Sequence, residues 1–188
     1  MLRIIAGEWR GRRLRFPDVP SIRPTPDRVR ETLFNWIGAR VQGRHGLDLF
    51  AGSGALGLEA LSRGAASVEF IEQDAAATGA LERLLTEWGA PTARVRRTDA
   101  LSFLAGTPRS FDLVFLDPPF DSGLLVPAAQ RLEAGGWVAP HALVYIECAG
   151  RAGLPELPRD WQLLRTKRAG EVGYHLLERI PAQPVHDP

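Results

Sequence analysis

The stretch Leu47-Asp48-Leu49-Phe50-Ala51-Gly52-Ser53-Gly54-Ala55-Leu56-Gly57-Leu58-Glu59-Ala60-Leu61 passes from a short apolar run through a glycine-rich turn into apolar residues at helical spacing. It reads as a buried strand, a tight turn and a helix N-terminus. The glycines let the backbone turn sharply and approach a ligand closely, while free N–H groups of the first helical turn face it. Glu72 stands twenty positions beyond Gly52, at the end of a second strand-like run, Val68-Glu69-Phe70-Ile71. A carboxylate there suits the two hydroxyls of a ribose.

Gly52, Gly54 and Gly57 also fit the fingerprint of dinucleotide-binding proteins, so an NAD-dependent dehydrogenase competes at this point. Two features count against it. Asp48 sits at the glycine turn, where a carboxylate repels a pyrophosphate but attracts an ammonium group. Asp99-Ala100 follows a third strand-like run, Ala93-Arg94-Val95-Arg96-Arg97, and suits an adenine amino group. Acids at three successive strand ends match an amine, a ribose and an adenine, and so S-adenosylmethionine (SAM), better than two phosphates. The candidate cofactor contacts are Asp48, Phe50, Gly52, Gly54, Gly57, Glu72, Gln73, Asp99 and Ala100. Any one of the three acids also suits an ordinary helix cap.

Asp117-Pro118-Pro119-Phe120 leaves a fourth apolar run, Leu113-Val114-Phe115-Leu116. Pro119 biases Pro118 toward an extended conformation and neither proline has an N–H, which leaves the Pro118 carbonyl as an acceptor without a competing donor. With the Asp117 carboxylate it offers two acceptors to the hydrogens of an exocyclic NH₂, and Phe120 adds a stacking surface. Such a nitrogen is a poor nucleophile because its lone pair is delocalised into the ring. Acceptors that favour its pyramidal, increasingly positive form stabilise the transition state more than the ground state. Asp117, Pro118 and Phe120 are the candidate catalytic residues. A plain strand ending in a proline-rich turn is the competing reading.

The order of elements agrees with an α/β protein. A helical stretch runs through Leu124-Leu125 to Leu132, then Gly135-Gly136-Trp137 and the apolar Ala142-Leu143-Val144-Tyr145-Ile146-Glu147. Strands alternating with helices predict a mostly parallel sheet with ligands at the carboxyl ends of its strands. Trp161 to Thr166 and Tyr174 to Glu178, flanking Gly170 and Gly173, leave no room for a helix and predict an antiparallel hairpin. A mostly parallel, expected seven-stranded sheet finished by a hairpin resembles the class I SAM-dependent, Rossmann-like methyltransferase fold.

The 188 residues, 45% hydrophobic, suit one core. Arginines 3, 10, 12 and 13 interrupt any signal-peptide core, and no apolar run approaches a membrane span. The single Cys148 cannot form an intramolecular disulfide, and a cytoplasmic protein is expected. Four scattered histidines lack metal-ligand spacing, so no metal is assigned.

The net charge of +1 hides an asymmetry: residues 1–44 hold ten arginines against four acids, a net of +6, which leaves −5 on the remainder. A basic lobe on a mildly acidic body is the footprint of a phosphate-rich partner. The lobe reads as a hairpin, Leu2 to Ile5 with Arg12 to Phe16 around Gly7 and Gly11, with Trp9 and Arg10 at its tip, suited to stacking and phosphate contacts. Thr25 is then an expected N-cap with Pro26 at the first position of a helix whose apolar face is Val29, Leu33, Trp36 and Ile37. Arg28 and Arg30 are left either to reach phosphate or the SAM carboxylate, or to pair with Asp27 and Glu31. The candidate RNA contacts are Arg10, Arg12, Arg13, Arg23, Arg28 and Arg30. The expected organisation is a basic extension over 1–44, a transfer domain over 45–180 and a loose tail over 181–188.

Taken together, these motifs resemble the RsmD family of bacterial 16S ribosomal RNA guanine-N2 methyltransferases. The likeness runs from Arg3-Ile4-Ile5 and Trp9-Arg10-Gly11 through Arg23-Pro24-Thr25 and Asp27-Arg28-Val29-Arg30-Glu31, then Asp48 to Arg63 and Asp117 to Phe120, to the closing hairpin. The resemblance implies SAM as methyl donor, an amino-terminal RNA-contacting extension and a guanine of 16S rRNA in the small ribosomal subunit as acceptor; separately, a monomer is expected. By position it gives Asp48, Gly52, Gly54, Glu72 and Asp99 to SAM, and Asp117, Pro118 and Phe120 to the base. The residues alone leave open a DNA adenine-N6 or protein glutamine methyltransferase, which use a similar tetrapeptide, and a non-catalytic RNA-binding module.

Overall fold

A computed structural model describes residues 2–16, 25–151 and 153–181. Arg23, Pro24 and all of the expected tail except Pro181 lie outside the described residues. The strands are β1 (His45–Asp48), β2 (Ser67–Glu72), β3 (Ala93–Arg97), β4 (Phe111–Leu116), β5 (Val138–Ala149), β6 (Trp161–Ala169) and β7 (Val172–Arg179). The helices are α1 (Asp27–Ile37), α2 (Ala55–Ser62), α3 (Ala75–Glu87), α4 (Ala100–Leu104) and α5 (Leu125–Ala134). One seven-stranded sheet has the order β3-β2-β1-β4-β5-β7-β6. Its first five strands pair in parallel, and β7 enters antiparallel between β5 and β6.

Alternation along the strands splits the core between the two faces of the sheet. Leu113, Phe115, Leu143 and Tyr145 face α1, α2 and α3. Val114, Leu116, Val144 and Ile146 face α4 and α5 through Ala100, Leu104, Ala128, Ala129 and Leu132. Because β1, β2, β3 and β4 run parallel, the residues that follow them collect along one edge of the sheet. Asp48, Glu72, Asp99 and Asp117 are thereby placed along the same rim.

The amino-terminal segment packs into the first core through Ile4, Trp9 and Leu14, as does α1 through Val29, Leu33, Phe34 and Ile37. Its hairpin is reduced to one bridge, Arg3 to Arg13, supported by Ile4 N–H donating to Arg12 O and Leu14 N–H to Leu2 O. The tip is docked on α2. Ser62 O accepts from Glu8 N–H at 2.8 Å, Ser62 Oγ accepts from Trp9 N–H at 2.9 Å, and the Ser62 hydroxyl donates to Ala6 O at 2.6 Å. Gly7 permits this approach: its φ is +84°, and a Cβ there would lie 1.8 Å from Ser62 O. Trp9 is 5% exposed and packs at 5.3 Å on Trp88, so it is a core residue and not the RNA-stacking ring expected at a hairpin tip. An indole gains more from burial against α2 and α3 than from exposure on a loop.

Glu59 takes four donors. Its Oε2 accepts Ile5 N–H at 2.8 Å and the Arg30 guanidinium at 3.3 Å, and its Oε1 accepts Ala6 N–H at 3.0 Å and Arg63 Nε–H at 2.7 Å. Arg30, 0% exposed, also donates to Asp27 Oδ1 at 2.6 Å and to the Arg3 carbonyl at 2.8 Å. The RNA contact expected at Arg30 is therefore corrected in favour of the alternative, pairing with Asp27. Its guanidinium is sealed between α1, α2 and the amino-terminal segment. Replacing Glu59 by Ala leaves that buried cation without its buried partner and should cost about 3–5 kcal/mol in urea unfolding, whereas Arg63→Ala should cost about 1 kcal/mol.

Candidate active site

Two strand exits build the glycine side of the rim. Asp48, 2% exposed, ends β1, and its Oδ2 accepts Gly57 N–H at 3.0 Å. Burial pushes its carboxyl up to about 7, against the Gly57 hydrogen bond and with help from the charge of Glu72. No hydrogen bond ends on its second oxygen among the described residues. Gly52 and Gly54 both have positive φ, +52° and +74°, and a Cβ on Gly54 would come within 2.7 Å of Leu81 Cδ1. Gly57 is held for packing: a Cβ would meet Phe70 Cε1 at 2.3 Å, so its part in the site is to anchor Asp48.

Glu72 accepts Gly52 N–H through Oε2 and Asp74 N–H through Oε1, both at 2.8 Å, which fixes the carboxylate beside the glycine turn. Asp99 caps α4, accepting Ser102 N–H at 2.9 Å. Hydrogen bonds from the Ser102 side chain and N–H hold its carboxyl below the usual range. It is exposed at the rim, with Ala100 buried behind it. Phe50 is half-buried against the second core and Gln73 is exposed.

The other side of the rim is Asp117-Pro118-Pro119-Phe120. Pro118 is buried, and no hydrogen bond ends on its carbonyl among the described residues, whereas the Pro119 carbonyl is occupied by Ser122. Phe120 is 43% exposed, a large apolar ring left facing solvent. Asp117 Oδ2 accepts the Thr25 hydroxyl at 3.3 Å. Burial pushes the Asp117 carboxyl well up, aided by the charges of Glu147 and Asp48 and opposed by Thr25.

Thr25 thus differs from its expected role. Pro26 occupies the cap position of α1 with no side-chain cap, and the threonine hydroxyl is spent on Asp117. Glu147 was not among the expected site residues. It lies near the end of β5, buried, with Tyr145 Oη–H donating to its Oε1 at 2.8 Å. The one signal for it in the sequence is an acid terminating the apolar run Ala142 to Ile146.

Arg10, Arg12, Arg13 and Arg28 are exposed. Arg12 lies over the Trp88 ring at 5.5 Å. The tip carrying Arg10 is docked at Ser62, the last residue of α2, whereas the glycine turn precedes the first, so one helix length separates them. Among the described residues no group of three or more His, Cys, Asp or Glu side chains could hold a metal ion, and no helix is long and apolar enough to cross a membrane.

The family model described as "Conserved hypothetical protein 95" matches residues 2–178. The chain is 52% identical over 180 residues to ribosomal RNA small subunit methyltransferase D of Escherichia coli (strain K12), covering 95% of this chain and 90% of that protein. It is 42% identical over 181 residues to the protein of the same name from Haemophilus influenzae, covering 94% and 93%. The solved structure of the putative methyltransferase yhhF from Escherichia coli is similar with a TM-score of 0.90 at 50% identity, covering 95% of this chain and 98% of that one. A family model spanning nearly the whole chain, joined to relatives this similar along most of their length, places the chain in the family described as conserved hypothetical protein 95, the RsmD family.

Proposed function

We propose that this protein transfers a methyl group from SAM to the exocyclic N2 of a guanine in 16S ribosomal RNA, acting as a cytoplasmic monomer on RNA within the small ribosomal subunit. The observation that carries the reading is the pairing, on one rim, of Asp117 and the free Pro118 carbonyl with the glycine turn held by Asp48 and Glu72. The names of the relatives point to the same reaction and the same class of RNA.

The residues of the rim fit SAM. Asp48 presents a buried carboxylate oxygen with no hydrogen-bond partner among the described residues, suited to an ammonium group, and Glu72 stands where a ribose would meet it. Asp99 with Ala100 would flank the adenine. When bound, SAM supplies an electrophilic methyl group, and the acceptor nitrogen forms the N–C bond as the electrons of the C–S bond stay on sulfur. Asp117 and the Pro118 carbonyl orient the two hydrogens of the acceptor amine, which turns its lone pair out of conjugation. Phe120 stacks on the base. Exposed arginines of residues 1–44 hold the RNA backbone, and residues 45–180 carry the transfer chemistry.

Three outcomes test this reading. Asp117→Ala should lower the single-turnover rate of methyl transfer to small-subunit RNA by roughly two or more orders of magnitude, while calorimetry shows SAM still bound. Asn at this position should keep part of the rate, since its amide oxygen still accepts, and a wild-type rate in the Ala variant would overturn the assignment.

Asp48→Asn should weaken SAM binding and raise thermal stability. A folded-state carboxyl raised from its ordinary 3.8 to about 7 contributes stability that is fully present below 3.8 and is lost as pH climbs through about 7. The melting-temperature gain of the variant over the wild type should accordingly be larger at pH 8 than at pH 5.

Replacing Arg10, Arg12 and Arg13 together by Ala should flatten the salt dependence of RNA affinity, each lost phosphate contact removing about 0.7–0.9 from the slope. SAM affinity should not change. An unaltered slope would show these arginines to be a solvated face.

A further inference from the structure

The acceptor side of the rim holds two acids, and the second has no part in the reaction as described above. Leu116 is in register with Ile146, so the next residues of the adjacent parallel strands, Asp117 and Glu147, emerge side by side. Glu147 is 3% exposed, its Oε1 bound by the Tyr145 phenol at 2.8 Å, and Asp117 is bound by the Thr25 hydroxyl at 3.3 Å. The titratable groups around the pair are Asp48 from β1 on the Asp117 side, and Tyr174 from β7 with Tyr145 and Cys148 of β5 on the Glu147 side. Among the described residues neither Asp117 nor Glu147 forms a salt bridge, unlike the equally buried Glu59 and Glu69, which are paired with arginines.

Two adjacent carboxyls, Glu147 buried and Asp117 half-buried, without a cation do not both ionise at ordinary cost; one is raised by the charge of the other. The directions agree: burial raises both, Glu147 to about 6, and the charge of Glu147 further raises Asp117. A nitrogen that takes a methyl group from a sulfonium is left with one proton too many. A carboxylate at its ordinary acidity is a weak base for that proton at neutral pH, whereas one raised toward neutrality matches it.

We propose that Glu147 is the positioning residue that makes Asp117 a competent base: the two carboxyls hold one proton between them, and the ionised member takes the proton released by the methylated nitrogen. The step balances. The N–H electron pair stays on nitrogen, which becomes neutral; the proton neutralises the pair, and one proton then leaves to water to restore the monoanion. Thr25 acts on the same pair in the opposite sense, since its hydroxyl stabilises the Asp117 anion.

This inference rests on the methyl-transfer reading, and its test separates the two. Single-turnover rates of the full-length protein with small-subunit RNA and saturating SAM are measured against pH for the wild type, Glu147→Gln, Thr25→Val and Thr25→Ser. Removing the Glu147 charge should lower the rate at the plateau at least about tenfold and move the acidic limb down by roughly one pH unit, with SAM affinity and the KM for RNA unchanged. Thr25→Val should move that limb up, and Thr25→Ser should restore it. Carboxyl-carbon NMR titration reads the same pair without activity: the wild type should show two separated steps, and Glu147→Gln a single step for Asp117 at lower pH. An unshifted limb, shifts in the same direction for both variants, or a Glu147→Gln protein with unchanged Asp117 titration would overturn the proposal. A wild type with coupled titration but no transfer to RNA would overturn the functional reading alone.

Discussion

The amino-terminal wall beside the acceptor side of this molecule hangs from Glu59. A fully buried carboxylate in the middle of α2 would be prohibitively costly alone, and it is tolerated because four donors converge on it: two backbone N–H groups of the amino-terminal segment, Arg30 of α1 and Arg63 one turn on. The same contacts tie α1 to α2, and α1 begins immediately after Thr25 and Pro26. The position of the Thr25 hydroxyl at Asp117 is therefore an outcome of an ion pair between the helices. What reads as a basic extension in the sequence is one wall of the site.

That wall faces a rim whose electrostatics run the other way. Glu59 and Glu69 are buried and paired with arginines, whereas Asp48, Glu147 and the half-buried Asp117 have neutral partners, and desolvation makes all three weaker acids than usual. A fold that can place arginines on its structural acids and leaves these three without them is holding back negative charge and proton capacity at one place. Local departures of this sort, which cost stability, are expected at functional positions. On the proposed reading, a ligand with a sulfonium and an ammonium and a reaction that sheds a proton would use both properties.

The parallel strands, the glycine turn and the final hairpin were legible because each rests on local rules: apolar runs of strand length, glycines where φ must be positive, and two runs too close for a helix between them. Residues whose roles depend on distant partners were misread or missed. Arg30 stands at helical spacing with Leu33, Phe34 and Ile37, so periodicity alone puts it on the buried face; its charge argued for the surface, and only the buried Glu59 of another helix reverses that. Trp9 needed Trp88, and Thr25 needed Asp117, partners 79 and 92 positions away that no local pattern joins to them. Glu147 was hidden because an acid ending an apolar run looks like a strand reaching solvent. In the fold, β7 covers it.

The placement of the amino-terminal arginines bears on the size of the substrate. The tip that carries Arg10 is fastened at the last residue of α2, and the glycine turn lies before the first, a separation of about 12 Å for eight residues at 1.5 Å each. A mononucleotide placed with its base between Asp117 and Phe120 does not span that length as well. A stacked strand rises about 3.4 Å per nucleotide, so covering the length of α2 from the glycine turn to the tip takes about three steps or more. A polynucleotide that reaches around α2, and not a free base or nucleotide, is the acceptor this geometry accommodates.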